Sequence, residues 1–207
     1  MQIQSCLQPV KNGENMTGLV PSREEAFSLL KEFNKNQSLI RHALSVEAVM
    51  RHAAKTNGED PEKWGVIGLV HDLDYEMYPE QHCTKSREIL EGKGWPVEYV
   101  RAVVSHAWGI CSDVEPESTL EKYLYAVDEL TGLVTACVLV RPSRSIMDLK
   151  VKSVKKKWRN RHFAAGANRE VMEKGADMLG IEFSDLIQVV IDGMRTVAED
   201  IGLDGEN

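Results

Sequence analysis

The apolar positions of this chain recur with a helical period, and capping residues punctuate the segments they mark. In "PSREEAFSLLKEF", Ser22 precedes the apolar period and Glu25 follows three residues on, a capping box. "NKNQSLIRHALSVEAVMRHAAKTNG" is amphipathic and is closed by Asn57-Gly58. "DPEKWGVIGLVHD" carries Pro61 near its start, where a missing N–H costs little. "TKSREILEGKG" ends in glycines, and Pro96 begins "PVEYVRAVVSHAW". "ESTLEKYLYAVDELTGLVTACVLV" is long and mostly apolar until Arg141-Pro142 ends it. "SIMDLKVKSVKKKWRN", "NREVMEKGADMLG" and "FSDLIQVVIDGMRTVAEDIG" complete the series. No segment alternates like a strand, and there is no repeat or low-complexity linker. The pattern predicts an all-α fold, a single helical domain over residues 21–207 behind an N-terminal tail, 1–20, frayed over its first dozen or so residues around Gly13 and Asn15.

Two helices carry polar groups where their apolar faces should be. At 100° per residue, Leu39, Ala43, Val46, Val49, Met50 and Ala53 form one arc, with His42 inside it and Arg41, Arg51 and His52 outside, His52 facing water. A lone inward histidine is more often a hydrogen-bonded core residue than a ligand. On the long helix, Leu120, Leu124, Val127, Thr131, Val134 and Val138 share a face with Asp128 at its edge, while Glu129 points away with Glu121 and Lys122. A carboxylate beside such neighbours needs a cation or strong donors. An arginine partner or a partly wet edge would serve as well as a metal ion. Between these helices, "GVIGLVHDLDYEMYPEQH" runs an apolar segment straight into His71-Asp72, with Asp74 and Glu76 adding negative charge.

These residues resemble the HD-domain superfamily of metal-dependent phosphohydrolases, in which a His, a His-Asp doublet and a distant Asp lie on helices of one bundle. The matching positions are His42 in "IRHALSVEAVM", His71 and Asp72 in "GLVHDLDYE", and Asp128 in "LYAVDELTG". The resemblance covers roughly residues 37–141, a metal-binding core, and the helical extension over 142–207 resembles that of small bacterial members. His82 in "EQHCTKSREIL" and His106 in "AVVSHAWGI" resemble the extra histidines that hold a second metal in some members. The chain lacks one further histidine of the fullest two-metal members, so water, substrate or Glu76 would complete that site. Otherwise His82 is an exposed loop residue, and His106 a histidine answering a helix dipole.

The resemblance implies one or two divalent ions: the imidazole and carboxylate set suits Mn, Fe, Zn, Ni or Co, and a carboxylate-weighted site takes Mg. It implies a hydrolase acting on a phosphate ester or nucleotide-type small molecule through metal-activated water. Asp72 would bridge two ions; with one ion, Asp74 or Glu76 would orient or deprotonate the water, unless both are ordinary exposed acids. A regulatory HD-domain protein that keeps the metal without turnover is the alternative, and a metal-free helical interaction module is a third.

Charge adds a constraint. With 25 Lys and Arg against 32 Asp and Glu, the formal net charge is −7, which disfavours nucleic acid and anionic membranes as partners. The basic run "LKVKSVKKKWRNRH" stands out against that background, and Lys156 and Lys157 are its candidates for substrate phosphate, the rest reading as a solvated face. The cysteines Cys6, Cys83, Cys111 and Cys137 form no CxxC pair and read as free thiols of a reducing compartment. No secretory signal is expected at the N-terminus, and "GLVTACVLV" is too short to span a bilayer, so a cytoplasmic protein is expected.

Overall fold

A computed structural model describes residues 19–205, so the expected frayed tail and Cys6 lie outside the described residues. Its helices are α1 (Arg23–Phe33), α2 (Gln37–Asn57), α3 (Pro61–Leu69), α4 (Thr84–Gly92), α5 (Val97–Ser105), α6 (Thr119–Leu139), α7 (Val151–Trp158), α8 (Arg169–Leu179) and α9 (Phe183–Arg195). A 3₁₀ turn spans Pro79–Gln81. Two isolated β-bridges, Trp108 with Ser112 and Ser145 with Asp204, are the extended pairings among the described residues, and the fold is all-helical.

Local chemistry sets the helix ends. Ser22 and Glu25 form the expected capping box of α1. Gly58 closes α2 in the left-handed region, at φ 71°, where a side chain would be strained. Asp60 accepts from the backbone N–H groups of Glu62 and Lys63, with Pro61 next to it at the start of α3. One segment departs from the pattern. Of "SIMDLKVKSVKKKWRN", only the part from Val151 is helical, because Ile146 N–H donates to Leu203 O (2.8 Å) and holds the first residues in turns.

Helices α2 and α6 form the centre. α2 packs on α3, α9 and α6, and α6 packs on α8, α9, α5 and α7. Two glycines let these crossings close. A Cβ on Gly175 of α8 would lie 2.6 Å from Ala126 Cα of α6, and one on Gly193 of α9 would lie 2.6 Å from Val49 Cα of α2. Helix α6 is therefore buried on more than one face. Glu121, expected outside, is 4% exposed. Its carboxylate accepts from the N–H groups of Glu117 and Ser118 and pairs with Arg101 Nε at 3.1 Å. No helix among the described residues is long and apolar enough to cross a membrane.

Candidate metal centre

Helix α3 ends at Leu69, and the chain turns so that adjacent His71 and Asp72 approach the same space beside His42 of α2 and Asp128 of α6. One donor atom from each of His42, His71, Asp72 and Asp128 lies within 4.8 Å of the others. His42 Nε2 is 2.9 Å from Asp128 Oδ1 and 3.2 Å from His71 Nε2. His71 Nε2 is 3.3 Å from Asp128 Oδ1 and 3.4 Å from Asp72 Oδ2.

A second group adjoins the first through Asp72. Its other oxygen, Oδ1, is 3.4 Å from both His82 Nε2 and His106 Nε2, and those two nitrogens are 3.2 Å apart. His82 follows the 3₁₀ turn, and His106 ends α5. The six residues are thus brought together as two sets sharing one carboxylate.

The opposite ring nitrogens settle which atoms face the centre. His71 Nδ1 is 2.8 Å from Gly68 O, and His106 Nδ1 is 2.5 Å from Val103 O. A carbonyl oxygen can only accept, so both Nδ1 atoms carry the proton. His82 Nδ1 is 2.7 Å from Asp74 Oδ1. His42 Nδ1 is 3.3 Å from Thr131 Oγ1, whose own hydrogen goes to Asp128 O, leaving the hydroxyl to accept. In the neutral form, the form that binds a metal, each imidazole would direct an Nε2 lone pair inward, towards another imidazole and a carboxylate oxygen. Such crowded lone pairs repel unless a cation lies between them, and imidazole with an outer acceptor is the usual form of a metal ligand. The His/Asp groups can hold metal ions, and the donor set fits them.

The electrostatics agree in direction. Burial pushes the Asp72 carboxyl up, but His71 and His106 outweigh it and hold the group well below the usual carboxylate range. For Asp128, burial is likewise outweighed by His71 and the hydrogen bond from His42. Burial pushes His71 down, yet Asp72 and Asp128 carry it well above its ordinary value. His82 is lowered by burial but raised on balance by Asp74 and Asp72. A site that so favours positive charge is what a cation requires.

Other expected residues lie elsewhere. Asp74 is fully buried, and its second oxygen accepts from Ser86 N–H (2.8 Å). With both oxygens taken, it orients His82 and has no access to a water. Glu76 accepts from the N–H groups of Lys35 (2.7 Å) and Asn36 (2.9 Å), tying down the link between α1 and α2. It belongs to neither ligand group. Lys156 is exposed on α7, and Lys157 Nζ sits 4.5 Å above the Phe163 ring. Neither lysine lines the cavity that opens on the ligands. His52 is half-buried rather than solvent-facing, and it too is outside both groups.

That cavity has a volume of about 530 Å³. Tyr75, Ile110 and Val171 give it apolar walls, and Glu129, expected to point away, lines it beside Asp128. Burial pushes the Glu129 carboxyl up, against the Asn168 N–H it accepts (3.0 Å), and the charge of Asp128 adds to the rise. Ala164, Gly166 and Ala167 form another wall. The buried Arg169 guanidinium holds that loop by donating to the carbonyls of Asn160, Phe163, Ala164 and Ala167. No Lys or Arg lines the cavity among the described residues. No protein-family model, curated protein or solved structure matches this chain.

Proposed function

We propose that the protein is a metal-dependent phosphohydrolase of the HD-domain type, acting on a small phosphate ester or nucleotide-type molecule. The observation that carries this reading is the convergence of four Nε2 atoms on the two oxygens of Asp72, His42 at 3.7 Å and His71, His82 and His106 at 3.4 Å. His42, His71, Asp72 and Asp128 would hold one ion, and Asp72, His82 and His106 a second. Bound divalent ions would supply water of lowered pKa and offset charge on a phosphoryl oxygen.

The chain's own residues do the rest. Asp74, Gly68, Val103 and Thr131 fix the four rings, so the donors keep their positions during turnover. Glu129 is the cavity carboxyl outside both ligand groups, which places it to hand a proton to a leaving oxygen. The uncharged walls around Tyr75, Ile110 and Val171 suit the body of a substrate with a single phosphoryl group, since among the described residues no cationic side chain lines the cavity for a second.

The test is a panel of phosphomonoesters, phosphodiesters and nucleotides offered to protein loaded in turn with Mn, Fe, Zn, Ni, Co and Mg. Hydrolysis that chelator abolishes and metal restores is the expected result. No turnover with any ion would leave a metal-binding regulatory protein.

A further inference from the structure

Beside the second ligand group lies a pair of thiols. Cys83 Sγ and Cys111 Sγ are 3.7 Å apart, in contact and unbonded. Cys83 directly follows the ligand His82 and is 1% exposed. Cys111 is exposed and lines the cavity, five residues beyond His106. The two sulfurs come from segments joined to the two different histidines of one group.

The backbone on both sides is unusual. Cys83 has φ 66° and ψ −40°, a conformation that costs a residue with a Cβ and that glycine adopts freely. What a cysteine adds at that position is the sulfur contact. On the other side, Ala107 O accepts from the N–H groups of Ile110, Cys111 and Ser112 in a tight turn starting one residue after His106. Movement of Cys111 therefore has a short path to the ring. Metal binding by the thiols with His82 is disfavoured, because His82 Nδ1 is taken by Asp74 and its Nε2 faces Asp72 and His106.

We propose that Cys83 and Cys111 are an oxidative modification site, converted reversibly to a disulfide by a peroxide, and that the bond disables the His82–His106 half of the metal centre. The exposed Cys111 thiol reacts first: its sulfur takes one peroxide oxygen to become a sulfenic acid, and the other oxygen leaves as water. Cys83 sulfur then attacks the Cys111 sulfur, the S–O bond breaks, and a second water leaves. Two thiols lose two hydrogens and one peroxide becomes two waters. Closure to about 2.0 Å between sulfurs brings the two side chains together from 3.7 Å and pulls on the segments that carry them. That pull acts on the residue next to His82 and on the turn that begins at Ala107 after His106, and the ring nitrogens of both histidines must stay in place to share an ion. The linkage itself is independent of the metal reading; its effect on the second ion rests on it.

The test treats the full chain, loaded with zinc, with a small excess of hydrogen peroxide. Peptide mass spectrometry should find Cys83 joined to Cys111, and titratable thiols should fall from the four of the reduced chain by two. Bound zinc should drop by one ion per chain and return after a dithiol reductant and fresh zinc. Cys111→Ser, at an exposed position, should keep its zinc under the same treatment, as Cys83→Ser should if it folds. A chain in which Cys111 is oxidised with no link to Cys83 overturns the site. A chain that forms the link and keeps all its zinc overturns the switch. Reduced protein that binds no zinc counts against the metal reading alone, and the linkage then decides the thiol pair by itself.

Discussion

Asp74 holds His82 from behind: its Oδ1 lies 2.7 Å from the ring Nδ1, while its Oδ2 accepts from Ser86 N–H at 2.8 Å. Both acceptors are buried, so the carboxylate cannot turn to another task. Asp74→Asn replaces one acceptor by a donor and must break one of the two bonds. The second ion should then bind about 10- to 100-fold more weakly, as is typical when an outer partner of a metal-binding histidine is lost. The first ion should be unaffected. Zinc titration of the variant checks this, and an unchanged second affinity would deny Asp74 its orienting role.

Glu129 is the test of proton transfer. Glu129→Gln keeps an oxygen for the Asn168 N–H and removes the proton donor. Turnover should fall about 10²-fold or more, with KM and metal content nearly unchanged. Wild-type rates in this variant would show that the leaving oxygen takes its proton from elsewhere.

Stability should depend on pH with opposite signs in the two states of the protein. In chelated protein, His71 is held above its ordinary value of 6.5. Its contribution is complete below 6.5 and is lost as pH rises through the raised value. Asp72 and Asp128 are held below 3.8, so theirs is present above 3.8 and lost as pH falls through the lowered values. The Tm of chelated protein should therefore decline as pH rises above about 6.5. Zinc competes with protons for the same atoms, so zinc-loaded protein should gain Tm over that window. Thermal melting across pH decides, and parallel curves with and without zinc contradict the account.

The legible part of this protein is the part set by local chemistry. Ser22 with Glu25, and Asn57 with Gly58, are helix signals that depend only on their neighbours, and the structure places caps at both. The 100° step was enough to turn His42 inward, because α2 carries one well-defined apolar arc there. The same step misplaces Glu121 and Glu129. It assumes one buried face, whereas α6 is covered by α8, α9, α5 and α7. Asp74 and Glu76 lie two residues apart in similar company, yet one supports His82 and the other caps the N–H groups of Lys35 and Asn36. Those partners are set by tertiary packing, which no spacing encodes. The basic run misleads for a related reason. Charge density marks Lys156 and Lys157, but the cavity wall on that side is the loop held by Arg169, whose sequence is small and unremarkable in charge.

Sharing of Asp72 by two ions would show in the metal stoichiometry. Elemental analysis of wild type, His106→Ala, Asp128→Ala and Asp72→Ala, loaded and desalted in parallel, should give about two ions per chain for the wild type, the number expected of a shared two-site centre. His106→Ala should keep one and retain its fold, since His42, His71, Asp72 and Asp128 remain. Asp128→Ala should lose the other ion and melt lower, and Asp72→Ala should lose both. His52→Ala, outside both groups, should match the wild type. If His106→Ala holds as many ions as the wild type, or if Asp72→Ala keeps either one at full affinity, the shared two-ion centre is wrong.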